Sequence, residues 1–281
     1  MIITILSEIQ IPIYPSDIYM QDPQKPIVSV IIPCYNQAGY LSETIQSAFE
    51  SDYRPLEVIV VNDGSTDSSL QVALSLLEKH EGLEVIDQEN SGVASARNAG
   101  IRQAKGDFIL PLDGDDKIHP QYISKAVSVL ISKPAIKVVY CKGKKFDENG
   151  FKDWNLKPFS RRALARDNMI FVSALFRKKD WEEVGGFSED MTMGREDWEF
   201  WIKMLKNGGE VVQLPMVGFF YRLTPNSKRK RTGTDQKKRE RIAYLNEKHA
   251  DFFERELLGP LRFQRTWSRP YNRLMKLLGR L

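Results

Sequence analysis

Three carboxylates, Asp113, Asp115 and Asp116, follow the apolar run in "FILPLDGDDKIHP", residues 108 to 120, with only Gly114 between the first and second. Like charges this close repel, and at the buried end of a strand they would take up protons unless a cation or strong hydrogen-bond donors lay among them. Closely set aspartates suit a hard divalent ion that also takes diphosphate oxygens. Two other groups could serve a nucleotide base. Asp63 in "VNDGSTD" can accept from an imide N–H, and Arg97 in "SGVASARNAG" can donate to the neighbouring carbonyls. Together these residues describe a nucleotide-diphosphate site with a metal. The common phosphate cradles are absent: no G-x-G-x-x-G follows the first strand, and no G-x-x-x-x-G-K-[ST] occurs anywhere. Each residue also has a local explanation, since Asp, Gly and Ser dominate turns for their own reasons and a run of acids can be a solvated loop.

The elements that must position them are short and alternate. "IVSVII" (27 to 32) and "LEVIVV" (56 to 61) are nearly continuous β-branched apolar runs, the pattern of strands buried on both faces of a parallel sheet. After the first, Tyr40, Leu41, Ile45, Ala48 and Phe49 recur at helical spacing, and after the second Leu70, Ala73, Leu74 and Leu77 do the same. "EVID" (84 to 87) is a weaker third strand, "VASARNAGIRQA" (93 to 104) a helix, and "DFILPL" (107 to 112) a fourth strand that Pro111 should end. These are βαβ units. The acids therefore fall just past the carboxyl end of a parallel strand, where open α/β sheets bind ligands. Asn62 to Asp67 and Pro33 to Gly39 fall at the same edge.

Composition allows such a site and narrows its setting. The chain has 281 residues, 42% hydrophobic and 28% charged, as an ordinary globular protein has. Its net charge of +4 is unevenly spread: residues 222 to 281 carry 17 Lys+Arg against 6 Asp+Glu, or +11, which leaves −7 for residues 1 to 221. Two cysteines, Cys34 and Cys141, are too few and too unpatterned for a disulfide framework or a zinc site, and fit a reducing, cytoplasmic location. The opening MIITIL lacks a basic flank, and no stretch approaches the roughly 18 apolar residues of a spanning helix, so neither a plain export signal nor a membrane span is expected.

"VSVIIPCYN", "VIVVNDGSTDSS", "NSGVASARNAGI", "GDFILPLDGDD" and "GREDWEFWIKML", in this order and spacing from about Pro26 to Tyr221, resemble a family 2 glycosyltransferase of the GT-A fold. The resemblance implies an α/β, Rossmann-like, mostly parallel sheet flanked by helices. It implies an inverting transfer of a sugar from a nucleotide diphosphate sugar, commonly a UDP-sugar, to an acceptor hydroxyl with Mg²⁺ or Mn²⁺. By that similarity Asp63 and Arg97 hold the uracil, and Pro33, Tyr35 and Asn36 shape the nucleotide pocket. Asp113, Asp115 and Asp116 cover the family's D-x-D-D, with Asp115 by the ribose or metal and Asp116 the direct metal ligand. The "ED" motif falls on Glu196 and Asp197, with Asp197 taken as general base. Acids in a first helical turn are also favoured by the helix dipole, so one of the pair is expected to be structural. In "VGFFYRLTPNS" (217 to 227) Thr224 occupies the family's histidine position, which leaves a weaker metal, a different ligand, or only Arg222 and Ser227 to neutralise the leaving diphosphate, and puts metal affinity more than fold in question.

The domains expected are an extended arm over 1–25, the GT-A domain over 26–226 and a basic, mainly helical extension over 227–281. Within the extension, 227 to 241 reads as a lid or linker, and 242 to 258 and 270 to 279 as helices. The last of these places Tyr271, Leu274, Leu277 and Leu278 on one face among basic residues. Two readings of it stay open, a helix lying on an anionic membrane surface and a helix packed back on the domain. The partners expected are a nucleotide-sugar donor, a glycan or lipid-linked acceptor and that surface. A catalytically silent sugar-nucleotide or partner-binding protein of the same fold is the competing function. Nucleic acid is not expected, because no recognition motif or stacking platform accompanies the basic charge.

Overall fold

The computed structural model describes residues 25–224 and 232–281. The arm expected over residues 1–25, save its last residue, and Ser227 lie outside the described residues. Four strands, β1 (Val28–Cys34), β2 (Leu56–Asp63), β3 (Leu83–Gln88) and β4 (Phe108–Pro111), pair in parallel in the order β3-β2-β1-β4. In register, Val28 sits beside Leu56 and Phe108, and Cys34 beside Asn62. All of β1 and all but the first residue of β2 are buried, as continuous apolar strands covered on both faces require. The β4 strand ends at Pro111, which has no N–H for the ladder.

Beyond β4 the sheet becomes mixed. β5 (Lys117–Ile118), β6 (Ile136–Asp147), β7 (Gly150–Trp154), β8 (Leu175–Arg177) and β9 (Glu210–Arg222) extend it as β4-β8-β6-β9-β5, with β7 antiparallel to β6. The long β6 and β9 run parallel through two bulges near Cys141 to Gly143, and most of the paired ladder of the whole sheet is parallel. Helices α1 (Ala38–Phe49), α2 (Ser69–Ser75), α3 (Val93–Gln103), α4 (Tyr122–Ser132), α5 (Arg161–Leu164), α6 (Lys178–Val184) and α7 (Glu196–Leu205) flank it. The chain is thus an α/β protein with the site at the carboxyl ends of the parallel strands.

The close seat of α3 is set by one glycine. A Cβ at Gly100 would stand 2.5 Å from Ile31 Cγ2 and 3.0 Å from Val61 Cγ2, so only a glycine lets the helix lie this near β1 and β2. The turn from α3 into β4 is anchored by buried Glu57, which accepts from Ser29 Oγ at 2.5 Å and from Lys105 N at 2.6 Å.

The extension is mainly helical, as expected, but its first helix begins earlier than the sequence reading placed it. Helix α8 spans Asp235–Lys248 and so begins inside the stretch read as a lid, because Thr234 caps it by accepting from Lys237 N and Asp235 sits in its first turn. It is followed by α9 (Ala250–Leu257) and α10 (Ser268–Leu277). Ile242, Leu245, Phe252, Phe253, Leu257 and Leu261 are buried in the same core as the sheet. His249 Nε2 lies 2.9 Å from Glu199 Oε1 of α7, both side chains buried. Up to about Leu261 the extension is part of the domain's packing. By contrast, α10 buries Ser268 and Asn272 and leaves Tyr271, Leu274, Leu277 and Leu278 exposed. No helix among the described residues is long and apolar enough to cross a membrane.

Candidate active site

Two cavities open at the carboxyl edge of the sheet. The larger, about 1100 Å³, is walled by the loops after β1, β2 and β4, with Pro33, Tyr35, Asn36, Asp63, Asp113 and Asp115 among its lining residues. Its floor is built from side chain to backbone bonds between loops. Asn36, in the left-handed region at φ 54, accepts from Thr66 N at 2.7 Å and donates from Nδ2 to Thr66 Oγ1 at 3.2 Å, tying the β1–α1 loop to the β2–α2 loop. Asp63 Oδ1 accepts from Gln88 Nε2 at 2.8 Å and from Ser91 N at 2.9 Å, and its Oδ2 accepts from Gly92 N at 2.9 Å. Gly64 follows at φ 67, where a Cβ would meet Asn90 N at 2.7 Å. Asp63 is therefore a fixed, buried carboxylate on the wall of this cavity.

The three acids occupy a tight turn after β4, closed by Asp116 N donating to Asp113 O and held to α1 by Thr44 Oγ1 donating to Gly114 O at 3.0 Å. Asp116 is buried; its Oδ1 accepts from Arg222 N at 2.8 Å and its Oδ2 has no hydrogen-bond partner. Burial, with Asp115 and Asp113 beside it, pushes the Asp116 carboxyl well above the usual range, and burial with the Asp113 charge pushes Asp115 up to about 6. The expectation that like charges here call for a cation has this orphaned oxygen as its structural counterpart. Among the described residues no group of three His, Cys, Asp or Glu side chains is arranged to hold a metal by itself. The chemistry of Asp115 and Asp116 fits a hard cation only if further oxygen ligands come from outside the protein.

Arg222 was expected at the diphosphate. In the structure it sits at the end of β9 and braces the acid turn, its Nε donating to Asp115 O at 2.8 Å and its Nη2 to Glu43 at 3.0 Å, with its guanidinium over the Tyr40 and Phe146 rings. Thr224 lines the larger cavity. Arg97 was expected beside Asp63. Its Nη1 instead donates to Glu196 Oε1 at 2.9 Å and its Nη2 to Asp113 Oδ1 at 2.6 Å, and it lines the smaller cavity. Burial alone would weaken its hold on the proton; Asp113 and Glu196 more than reverse that, so it stays a cation between two carboxylates.

The smaller cavity, about 600 Å³, holds Asp197. Asp113, Glu196, Tyr221 and Thr232 line both cavities, so the two adjoin through a shared wall. Glu196 and Asp197 open α7, whose preceding Arg195 has φ 65 and turns the chain sharply into the helix. The paired acids separate by role: Glu196 is ion-paired to Arg97, whereas Asp197 Oδ2 accepts from Asn168 Nδ2 at 2.7 Å and its Oδ1 from Trp198 N at 2.9 Å. Burial and the neighbouring Glu196 charge push Asp197 up to about 6. Trp198 and Trp201 are core residues that donate to Leu164 O and Ile170 O. Trp154, Phe171, Phe219 and Tyr221 form an aromatic wall, with Trp154 and Tyr221 ring centroids 5.3 Å apart. Sequence reasoning missed Asn168, Asp167, Arg241 and Arg265 here. They lie in stretches with no motif, and only the packing of the extension brings the last two to the cavity.

Comparison with known proteins agrees with this geometry. The sequence profile described as Glycosyl transferase family 2 matches residues 29–200. The chain is 30% identical over 186 residues to the chondroitin synthase of Pasteurella multocida (strain Pm70), covering 65% of this chain and 19% of that protein. It is 32% identical over 203 residues to an uncharacterized glycosyltransferase of Rickettsia typhi, covering 66% and 61%. The chain spans about a fifth of the synthase and less than two thirds of the rickettsial protein. Among solved structures it resembles S. aureus TarS 1-349 in complex with UDP-GlcNAc, with a TM-score of 0.66 at 21% identity over 89% of this chain and 76% of that one. It also resembles the mannosyltransferase PcManGT from Pyrobaculum calidifontis in complex with GDP-Man and Mn²⁺, with a TM-score of 0.67 at 20% identity over 92% and 76%.

Proposed function

Because the chain belongs to glycosyl transferase family 2 and has the GT-A fold, we propose that it transfers a sugar from a nucleotide diphosphate sugar, a UDP-sugar before others, to an acceptor hydroxyl with inversion, in glycan or polysaccharide synthesis. The observation that carries this reading is the placement of Asp197: a half-buried carboxylate, oriented by Asn168, in a cavity that shares a wall with the nucleotide-sized one.

The larger cavity takes the nucleotide. Asp63 accepts from the base, and Pro33, Tyr35 and Asn36 shape the pocket around it. Asp113 is held by Arg97, so Arg97 acts on the acid turn and the ED pair rather than on the base. Asp115 and Asp116 would hold Mg²⁺ or Mn²⁺, which supplies positive charge to the diphosphate as it leaves. Support for a cation comes from the orphaned Asp116 oxygen and from the Mn²⁺ complex of PcManGT. On the acceptor side Asp197 takes the hydroxyl proton while the acceptor oxygen forms its bond to the anomeric carbon and the bond from that carbon to the diphosphate breaks. Glu196 and Arg97 position it. A carboxyl raised to about 6 is a stronger base than an ordinary aspartate and is still mostly ionised at neutral pH.

An anionic membrane surface is proposed as a second partner, met through the exposed Tyr271, Leu274, Leu277 and Leu278 of α10 with Arg273, Lys276 and Arg280 near them. The transfer reading is tested by incubating the protein with a panel of nucleotide sugars and Mn²⁺ and measuring free nucleotide. Release from one donor, stimulated by an acceptor pool, is expected. No release from any donor would overturn it.

A further inference from the structure

The smaller cavity carries a surplus of cationic side chains that the chemistry above does not use. Arg195, Arg241 and Arg265 all line it, and none of them lines the nucleotide cavity. Arg195 Nη1 and Arg265 Nη1 converge on the same oxygen, Asp167 Oδ1, at 2.5 and 2.6 Å, and their guanidiniums stand 5.8 and 5.6 Å from the centre of the Trp198 ring. Arg241 is buried and donates to the carbonyl oxygens of Met193, Gly194 and Thr232, which bear no formal charge. Burial above all, and then the nearby Arg195 and Arg265 charges, bring Arg241 down to about 10. Against these three cations the cavity sets Asp116, Asp167 and Asp197, while Glu196 and Asp113 are already occupied by Arg97. Lys145, Lys157 and Lys238 tip the balance, so that seven cationic side chains line the cavity against five carboxylates.

Arg241 and Arg265 brace the extension, but a brace needs neither a shared carboxylate oxygen nor a third guanidinium at its back. A neutral sugar would leave the surplus unanswered. Guanidinium forks match the oxygens of a phosphate or carboxylate, and two that already point at one oxyanion are arranged to receive another. We infer that the acceptor carries an anionic group, a phosphate or a carboxylate, which Arg195 and Arg265 receive beside Asp197 with Arg241 as a fixed charge behind them; this rests on the glycosyl-transfer reading of the site.

The test is a calorimetric titration of the full chain with glucose, glucose 6-phosphate and glucuronate at near-physiological salt. At least one anionic probe is expected to bind about tenfold or more tightly than glucose, and the stronger of the two identifies the class. Arg265→Gln should erase the preference. Asp167→Asn keeps an acceptor oxygen for both arginines but removes the competing charge, so it should tighten the anion, a gain that a misfolded variant would not show. Equal binding of all three probes, absence of binding, or an equal loss of preference in Lys79→Gln, which removes an exposed cation lining neither cavity, would overturn the inference. Nucleotide release measured on the same preparations separates the two claims. Release without an anion preference removes the inference and keeps the transfer reading, whereas a preference without release from any donor removes the transfer reading and leaves an anion site in this cavity that is no longer an acceptor site.

Discussion

Asp197, Glu196 and Asp116 show how one residue type takes different roles from its surroundings. If Asp197 is the base, Asp197→Asn should lower turnover by roughly 10²-fold to 10⁴-fold with nucleotide affinity nearly unchanged. The base must be ionised to accept a proton, so kcat/KM should fall as pH drops through about 6. Since the Glu196 charge is part of what raises Asp197, Glu196→Gln should move that acid limb to lower pH, read from the pH profile of the variant. Asp116 belongs to function at the expense of stability. Asp116→Asn removes a carboxyl whose charged form burial, Asp115 and Asp113 disfavour, so it should raise the melting temperature of the cation-free protein and should abolish the further rise given by UDP with Mn²⁺. Thermal unfolding in EDTA and in UDP with Mn²⁺ reads both; an unchanged ligand-induced rise would remove Asp116 from the cation site. The acids themselves were legible in the sequence because they sit at strand ends in recognisable motifs. Their partners were not: that Arg97 turns to Asp113 and Glu196, and that Asn168 orients Asp197, depends on contacts 16 to 99 residues apart in the chain.

The strands and helices of the first half are positioned by features the sequence displays openly. Continuous β-branched runs gave β1 and β2, and Pro111 marked the end of β4. The reason for Gly100 was not visible, because within a helix a glycine reads only as a weak former, and its necessity comes from Ile31 and Val61 opposite. Gly100→Ala should therefore destabilise the fold by about 1–3 kcal/mol through overpacking, whereas helix propensity alone would make it stabilising. Denaturant unfolding distinguishes the two signs. Because α3 also carries Arg97, the same variant should weaken nucleotide binding if the helix shifts. The start of α8 lies hidden in a stretch dense in Lys and Arg, where Thr234 as cap and Asp235 in the first turn form an ordinary helix start.

At the scale of the whole molecule, the division into an acidic domain and a basic tail gives way to a domain completed by its tail. A chain ended near Leu258 would lose Leu261 from the core and Arg265 from the smaller cavity, so it should unfold at lower temperature than the full chain rather than behave as an independent domain. Membrane contact is better tested on the exposed face of α10. The full chain should sediment with anionic liposomes at moderate salt, and Leu274→Asp with Leu277→Asp should stop sedimenting while keeping the melting temperature; failure of the full chain to sediment at any salt would remove the surface from its partners. None of this docking was legible from sequence, where amphipathic helices show a face but not what covers it. The central claim is that the two adjoining cavities form one glycosyl-transfer site with Asp197 as its base. The most direct measurement is turnover and nucleotide affinity of the wild type and Asp197→Asn on the donor found by screening. A loss of at least about 10²-fold in turnover with unchanged affinity is predicted, and wild-type turnover in the variant would contradict the account.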